Sequence, residues 1–417
     1  MALPRGAGVP VVRREHLGGE WQEVGRGGFG RVYRARHKDL RMDVAVKVLN
    51  DNASHFVFKE ASFMDLASNE FVLRVLGTYK GPGGERGLVT EYMRRGSIES
   101  LQKALSGPPP WPLAFRLAHQ IALAMDFLHH KNFVHLDLKP NNILLNDTLN
   151  ARLADFGLST VSRSVEMNST NMQTGPRGTY PYMPPEAFDA KYEPVRAFDL
   201  YSYGILLWSI FTGREPYQGA LFSLVELRIT EGDRPRCEDL LGLQVVGISD
   251  LVSLMKNCWD KDPHKRPHFK DCLKITERLF PEHSNGIQRA ITEVLARLES
   301  SNQQGITKLN DVEGQRSVCD GASLSISGET MSRKAEFVDH HKPTIIQRVS
   351  NALAIAEELG SKVHSEIYCN IRAKKTNQDR VRELYCTTLR SGGERVKAAF
   401  YDALKKHEFD LMQDLEN

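Results

Sequence analysis

The chain contains 417 residues, enough for two domains, and its apolar content of 41% and charged content of 26% are those of a globular protein. The net charge of +3 is too small to indicate binding to nucleic acid or to an acidic membrane surface. Because neither a signal-peptide core nor a bilayer-length apolar stretch is present, we expect a cytoplasmic protein without membrane insertion.

The first two thirds of the chain change from a strand pattern to a helical one. The segments "WQEVGRGGFGRVYRARH", "MDVAVKVLN" and "GLVTEYM" are short and rich in β-branched residues, which favours strands. After Trp111 the apolar period becomes helical, as in "LAFRLAHQIALAMDFLHHK" and "FDLYSYGILLWSIFTG". Strands followed by helices predict an α+β fold in two lobes.

The last third divides into a helix, a polar stretch and a helical region. In residues 286–300, Ile287, Ile291 and Val294 share one helical face, which predicts a helix packed on the preceding lobe or, alternatively, a dimerisation helix. Residues 301–334 have too few large apolar side chains for a core and are predicted to be a flexible linker. From Ala335 onward the period predicts about six short helices, closed by Phe409, Leu411 and Met412. This region has no Cys/His cluster, and six scattered cysteines indicate reduced thiols.

A glycine-rich stretch, "GRGGFGRV" at 25–32, has the form GxGxxGxV and lies between two predicted strands. A dinucleotide-binding loop would instead lead into a helix, so this position favours a loop that closes over the phosphates of ATP. The residues predicted to contact ATP here are Val24, Gly25, Arg26, Gly27, Gly28, Phe29, Gly30 and Val32.

The next strand carries a lysine in "VAVK", Lys47, which is expected to hold the α- and β-phosphates, with Ala45 beside the nucleotide. Such a lysine needs a carboxylate to fix its position. Glu60, on a predicted helix after the strand, is the preferred partner. Glu70 is the alternative, but it lies beyond the helical pattern.

Two further motifs complete a phosphoryl-transfer set. In "HLDLKPNNILL", Asp137 would accept the substrate hydroxyl's proton and Lys139 would neutralise the transferring phosphoryl group. Asn142, and Asp155 of "ADFGLS", would hold Mg²⁺. Phosphoryl transfer depends on positioning and charge neutralisation, which these residue types supply. Each motif alone is weak evidence, whereas the ordered series is highly specific.

Residues 18–280 therefore resemble a eukaryotic protein kinase domain. "MPPE", "DLYSYG" and "CWDKDPHKRPHF" agree, and they imply that Arg266 pairs with Glu186 and that Asp199 braces the catalytic loop. "DLKPNN" is the serine/threonine form, and the domain is similar to the receptor-interacting protein kinase family. The resemblance implies a serine/threonine kinase, with some tyrosine activity left open, that uses ATP and Mg²⁺. Its implied adenine-site residues are Thr90 as gatekeeper, with Glu91 and Met93 in the hinge.

The main departure from the kinase pattern is Leu136, which replaces the arginine that in most kinases holds a phosphorylated activation loop. We therefore expect activation by bringing kinase domains together. The candidate phosphosites of the loop are Ser159, Thr160, Ser162, Ser164, Ser169, Thr170, Thr174 and Thr179.

The last part of the chain contains the phrases "FVDHHKPTIIQRV", "NQDRVRELY" and "FYDALKK" and the terminal "DLMQDLEN". On these phrases, residues 335–417 resemble a caspase recruitment domain (CARD), an all-α six-helix death-fold bundle. The resemblance implies docking on a receptor or adaptor with a CARD, self-association as a kinase dimer or CARD filament, and protein substrates including the chain itself. Its charged patches are predicted to be basic at Lys374, Lys375, Arg380 and Arg382, and acidic at Glu357, Glu358, Asp410 and Asp414.

The expected domains are thus a kinase at 18–280, a flanking helix at 281–300, a linker at 301–334 and a CARD at 335–417. By family resemblance, the output would be innate immune or inflammatory signalling through NF-κB and regulation of cell death. A scaffold that polymerises through the CARD, with incidental catalysis, remains the alternative. A death-promoting kinase that recruits caspases directly is a third hypothesis.

Overall fold

The computed structural model describes residues 9–27, 30–49, 61, 64–65, 67–156, 159–161, 178–189, 192–220, 222–314, 325–363, 365–390 and 393–416. Within these ranges the first lobe is a six-stranded sheet in the order β1-β5-β6-β4-β3-β2. Its strands are β1 (Val11–Arg13), β2 (Leu17–Gly27), β3 (Gly30–His37), β4 (Met42–Leu49), β5 (Val75–Lys80) and β6 (Arg86–Glu91). The three predicted strand segments are confirmed.

Buried and more exposed residues alternate along these strands, and the buried ones form the small core of the first lobe. Val44 and Val46 of β4 are fully buried, and they pack with Ala35 of β3 and Val89 of β6. All pairs are antiparallel except β1, which runs parallel to β5. Because side chains alternate between the two faces of a strand, the residues between these core positions face the opposite side of the sheet.

The second lobe begins with helices and short hairpins. Its elements are α1 (Ile98–Leu105), α2 (Trp111–His130), β7 (Phe133–Val134), β8 (Ile143–Leu145), β9 (Ala151–Leu153) and β10 (Thr160–Val161). Ser97 caps α1 by accepting the N–H of Ser100, as N-cap serines commonly do. The β8–β9 pair and the β7–β10 pair are both antiparallel.

Helices then fill the rest of the second lobe. They are α3 (Arg196–Thr212), α4 (Phe222–Glu231), α5 (Glu238–Leu241), α6 (Ile248–Cys258), α7 (Phe269–His283) and α8 (Ile287–Gly314). Helix α3 is apolar on all sides and is buried through most of its length, so it forms the centre of this lobe. Ile287, Ile291 and Val294 of α8 are buried in the same core, which favours the prediction of packing on the lobe over a dimerisation helix.

Part of the predicted linker is helical. Helix α8 continues to Gly314, and α9 begins at Ser325, so composition was a poor guide to backbone structure at 301–314 and 325–334. A polar sequence cannot form a core, but it can extend a helix whose first turns are already stabilised by packing, because propagation is far easier than nucleation.

The C-terminal region is a set of helices with its own apolar core. They are α9 (Ser325–His340), α10 (Lys342–Arg348), α11 (Ala352–Glu358), α12 (Ser365–Ala373), α13 (Asn377–Leu384), α14 (Gly393–His407) and α15 (Phe409–Glu416). Val338, Ile345 and Leu404 are fully buried in that core. The prediction for Phe409 was wrong, because this first residue of α15 is 65% exposed.

The helices and the cysteines can also be compared with the sequence predictions. None of the helices in the described ranges has the length and apolar character needed to cross a membrane. Cys237, Cys258, Cys272 and Cys386 are free thiols, as expected of four of the six cysteines.

Candidate active site

The hairpin of β2 and β3 carries most of the residues predicted to contact nucleotide. Gly25 pairs with Val32, and Gly27 pairs with Gly30. A Cβ on Gly30 would lie 2.0 Å from the carbonyl oxygen of Val48, so close approach of β4 itself requires a glycine there. Of the other predicted residues, Val24 is exposed, Arg26 forms an ion pair with Glu23 at 2.9 Å, and Gly28 and Phe29 lie outside the described residues.

Strand β4 lies between this hairpin and the predicted hinge. Its Lys47 pairs with Val32 on one side, and its Ala45 pairs with Thr90 of β6 on the other. Thr90 is buried and donates its hydroxyl to the carbonyl oxygen of Glu91 at 3.2 Å. The carboxylate of Glu91 accepts the N–H of Arg74 at 3.0 Å, and Met93 is buried. The register therefore brings the predicted phosphate and adenine residues onto adjacent strands.

Lys47 connects the two lobes. Its Nζ lies 3.0 Å from Oδ1 of Asp155, so the two motifs come together across 108 residues. Burial favours the neutral carboxyl of Asp155, but Lys47 outweighs burial and, with Lys139, lowers the pKa of Asp155 to about 2. Asp155 is therefore ionised at neutral pH. Glu60 lies outside the described residues, and its rival Glu70 is exposed in a turn.

The catalytic loop is supported by a buried carboxylate, Asp199 of α3, which is 0% exposed. It accepts the backbone N–H groups of His135 and Leu136, each at 2.9 Å, and Nε2 of His129 lies 2.9 Å from it. The ring of His135 packs edge-on against Phe156 at 5.1 Å between centroids. Asp199 therefore braces the loop, as the kinase resemblance implied.

Leu136 adopts a left-handed backbone, with φ of 69°, and its side chain is 1% exposed within the core of the second lobe. This conformation is uncommon for a residue with a branched side chain, and the two hydrogen bonds to Asp199 hold it in place. A leucine buried in this way offers no group to bind a phosphate.

Asp137 has hydrogen-bonding partners on both carboxylate oxygens. Oδ2 accepts from Nδ2 of Asn142 at 2.8 Å and lies 2.8 Å from Nζ of Lys139. Oδ1 accepts from the hydroxyl of Thr179 at 2.7 Å, and Nζ of Lys139 also donates to that hydroxyl at 2.8 Å. The structure thus brings together three predicted residues and adds Thr179, which sequence reasoning had considered only as a phosphosite.

The conformation around Thr179 depends on the glycine before it. Gly178 has φ of 119°, and a Cβ there would lie 2.7 Å from the carbonyl oxygen of Leu136. Only glycine fits this backbone so close to the catalytic loop. The sequence signal for Thr179 was therefore its place after a glycine and just before "MPPE".

Two candidate phosphosites are inaccessible. Thr179 is 7% exposed and bonded to Asp137, whereas Ser159 is buried and its hydroxyl lies 3.4 Å from the carbonyl oxygen of His135. Ser162, Ser164, Ser169, Thr170 and Thr174 lie outside the described residues, and the side chain of Thr160 does as well.

Asn142 and Asp155 form a donor set that fits Mg²⁺. The N–H of Ala154 donates to the carbonyl oxygen of Asn142 at 2.9 Å, so the β8–β9 hairpin holds both residues at one end. Asn142 directs its amide nitrogen at Asp137, which leaves its amide oxygen as a ligand beside an ionised carboxylate. Magnesium prefers such oxygen ligands. In the part of the chain that the structure describes, no group of three or more His, Cys, Asp or Glu side chains offers another metal site.

Glu186 and Arg266 form the predicted buried ion pair. Nη1 and Nη2 of Arg266 donate to the two carboxylate oxygens of Glu186 at 2.5 and 2.8 Å. The Arg266 side chain is fully buried and also bonds the carbonyl oxygen of Ala197. This two-bond pair ties the segment after Thr179 to the body of the second lobe.

Known proteins are similar in sequence to the two lobes of this chain. A family model for protein tyrosine and serine/threonine kinases matches residues 20–276. The receptor-interacting serine/threonine-protein kinase 3 of Homo sapiens is 38% identical, over 72% of this chain and 59% of that protein. Kinase 3 of Rattus norvegicus is 34% identical, over 81% and 68%. Receptor-interacting serine/threonine-protein kinase 2 of Bos taurus is 35% identical, over 65% and 53%.

The chain therefore spans somewhat more than half the length of the human and bovine proteins. The family model, in contrast, covers more than half of this chain and contains every predicted site residue. Protein kinases use ATP and Mg²⁺, and the residues described above suit both. The chain belongs to the protein kinase family and, within it, to the receptor-interacting serine/threonine-protein kinases.

Proposed function

We propose that the chain transfers the γ-phosphoryl group of ATP to serine or threonine hydroxyls through Asp137, Lys139, Asn142, Lys47 and Asp155. The observation that carries this proposal is the network on Asp137, whose carboxylate is held by Lys139, Asn142 and Thr179 at 2.7–2.8 Å. A carboxylate held this firmly is preoriented toward an incoming hydroxyl, and its four lone-pair sites leave room for one more donor.

Each side chain has a distinct role in this reaction. The substrate hydroxyl donates its hydrogen bond to Asp137, which takes up the proton as the oxygen bonds to the γ-phosphorus. The bond between that phosphorus and the bridging oxygen of the β-phosphate breaks, and ADP leaves. Lys139 neutralises charge on the transferring group, and Lys47 holds the α- and β-phosphates. Mg²⁺, when bound by Asn142 and Asp155, supplies further neutralisation of phosphate charge. Gly25, Gly27 and Val32 cover the nucleotide, and the hinge at Glu91 and Met93 binds adenine.

We further propose that the C-terminal helices form a CARD that recruits the kinase to a receptor or adaptor in the cytoplasm. By resemblance, a kinase followed by a CARD is the layout of receptor-interacting protein kinase 2, with NF-κB signalling as the output. A separate apolar core beyond residue 335 supports a distinct domain. Clustering through that domain would raise the local concentration of kinase and drive phosphorylation in trans.

Four of the eight charged residues predicted to mediate CARD contacts form ion pairs within the bundle. Glu358 bonds Lys406 at 2.9 Å, and Asp414 bonds Arg348 at 2.6 Å. Exposed pairs of this kind contribute only about 0–1 kcal/mol, so a complementary partner surface can exchange with them at low cost. Pairing within the bundle therefore does not oppose the CARD proposal.

A scaffold whose catalysis is incidental is the second candidate. The buried Leu136 favours the scaffold, because it replaces the arginine that in most kinases binds a phosphorylated activation loop. The groups that contact the reacting atoms do not depend on that residue.

The test is transfer of labelled phosphate from ATP and Mg²⁺ by the purified full chain. Asp137→Asn should lower kcat by about 10²–10⁴-fold with little change in the KM for ATP. Asp147→Asn, the same change at an exposed aspartate outside the catalytic loop, is the matched control and should behave as wild type. Wild-type protein that transfers no phosphate, or Asp137→Asn with the activity of Asp147→Asn, would refute the catalytic proposal.

A further inference from the structure

One helix of the C-terminal region lies against the kinase lobe. Nη1 of Arg372, in α12, donates to the hydroxyl of Tyr180 at 2.8 Å and to Oε2 of Glu226, while Nη2 lies 3.4 Å from Oε1 of the same carboxylate. The ring of Tyr368, one turn earlier in α12, meets Tyr180 edge-on at 6.1 Å and 85°. A single helix face thus contacts two separate elements of the kinase lobe.

Both residues of α12 are rigidly supported from behind. Ile367 and Ile371, on the adjoining face, are buried in the apolar core of the C-terminal helices. The hydroxyl of Tyr368 donates to Glu357 at 2.6 Å. The contact therefore involves the body of the C-terminal bundle and not a loose side chain.

On the kinase side, the contact combines charge with an aromatic surface. The hydrogen bond to Glu226 raises the pKa of Arg372, more than burial lowers it. Tyr180 is 1% exposed, and its ring also packs against Phe188, with 5.3 Å between the ring centroids. A cation, a carboxylate and two tyrosines are thus matched in position across the contact.

The position of Tyr180 gives this contact a consequence for catalysis. Thr179, the residue before it, donates directly to Asp137 at 2.7 Å. A hydroxyl that reaches Asp137 must therefore approach close to Thr179, which brings the protein segment that carries it near the adjoining residue Tyr180. In this structure Arg372 and Tyr368 of α12 contact Tyr180. The described residues predicted to bind nucleotide lie on β2, β3, β4 and β6 of the other lobe, except Met93, which follows β6.

We propose that Tyr180 and Glu226 form a docking surface for α12 of the chain's own C-terminal bundle, and that docking excludes protein substrates without excluding ATP. This inference rests on the proposed role of Asp137. A partner that bound the face of Tyr368 and Arg372 would release the surface to substrate.

The first experiment measures phosphorylation of myelin basic protein by dilute full-length chain. Arg372→Glu and Glu226→Arg each place like charges together, so each should raise kcat/KM for the protein substrate about three- to tenfold. The KM for ATP should not change. The exchanged pair, Glu226→Arg with Arg372→Glu, should return kcat/KM toward the wild-type value.

The matched control is Arg348→Glu, which breaks an exposed ion pair with Asp414 inside the same bundle. It should leave kcat/KM unchanged. An equal gain in Arg348→Glu would show that loosening of the bundle, not undocking, releases activity, and would overturn the proposal.

Two readouts do not need catalysis. Hydrogen exchange should become faster at α12 and at residues 178–189 in each single variant and slow again in the exchanged pair. Affinity for myelin basic protein should rise in the single variants. Unchanged exchange would refute docking, and faster exchange without tighter binding would refute substrate exclusion. If no variant transfers phosphate, the proposed function fails, while exchange and binding still decide this inference.

Discussion

Removal of one hydroxyl tests how Asp137 is held. Thr179→Val keeps the shape of the side chain but removes the donor to Oδ1 of Asp137 and the acceptor for Lys139. Asp137 retains Asn142 and Lys139 on Oδ2, so one charge-assisted bond to the carboxylate is lost outright. Such a bond is worth about 1.5–3 kcal/mol, which corresponds to a fall of about 10- to 100-fold in kcat/KM if it is fully expressed in the transition state.

The assay is steady-state phosphorylation of a serine peptide, with Thr179→Ser as the matched variant that keeps the hydroxyl. Thr179→Ser should retain most of the activity, whereas Thr179→Val should lose it through kcat with a thermal midpoint close to wild type. Mass spectrometry of active protein should find no phosphate on Thr179, because a phosphate there would lie against the Asp137 carboxylate. Equal activity of the valine and serine variants would refute the argument that this hydroxyl positions Asp137.

Three further outcomes follow from the same geometry. Asp199→Asn should lower the free energy of unfolding in urea by about 2–4 kcal/mol and reduce activity, because the buried carboxylate accepts two backbone N–H groups; a stability within error of wild type would contradict its bracing role. Burial opposes ionisation of Asp155, but Lys47 lowers the pKa of Asp155 from the ordinary value of 3.8 to about 2. The ionised pair should therefore add about 2 kcal/mol to the free energy of unfolding at neutral pH, and this contribution should be lost as pH falls from about 4 to about 2. Unfolding measured against pH should lack this step in Lys47→Met. Gly30→Ala should lower the free energy of unfolding by about 1–3 kcal/mol, measured by thermal unfolding, because the new Cβ would lie 2.0 Å from a carbonyl oxygen of β4. Gly25→Ala should lower it less, because the Cβ there would lie 3.8 Å from a side chain.

The phosphate-binding motifs were predictable because each is local in the sequence. A glycine-rich hairpin, a strand lysine and a catalytic loop each carry a recognisable spacing, and strand register then brings them together. Lys47 and Asp155 meet across 108 residues, yet both were recognised because each has its own motif.

The remaining contacts had no such local signal. Thr179 bonds Asp137 across 42 residues, and its place after Gly178 and before "MPPE" marks the position without identifying its partner. Arg372 meets Glu226 across 146 residues, and no sequence motif marks either residue. Single-sequence patterns report which face of a helix is apolar, but not which charged pair forms when two folded units come into contact.

Leu136 and Arg372 bear on the same question of control. Where most kinases use an arginine to sense a phosphorylated loop, this chain has a buried leucine, so phosphate cannot order the segment around Thr179 through that position. The segment is instead contacted by α12 at Tyr180. On the docking proposal, the position of the C-terminal helices, and not a phosphate added to the kinase domain, controls access of protein substrates. Activation by clustering follows naturally from this arrangement, because whatever binds those helices both gathers the kinases and competes for the face that covers Tyr180.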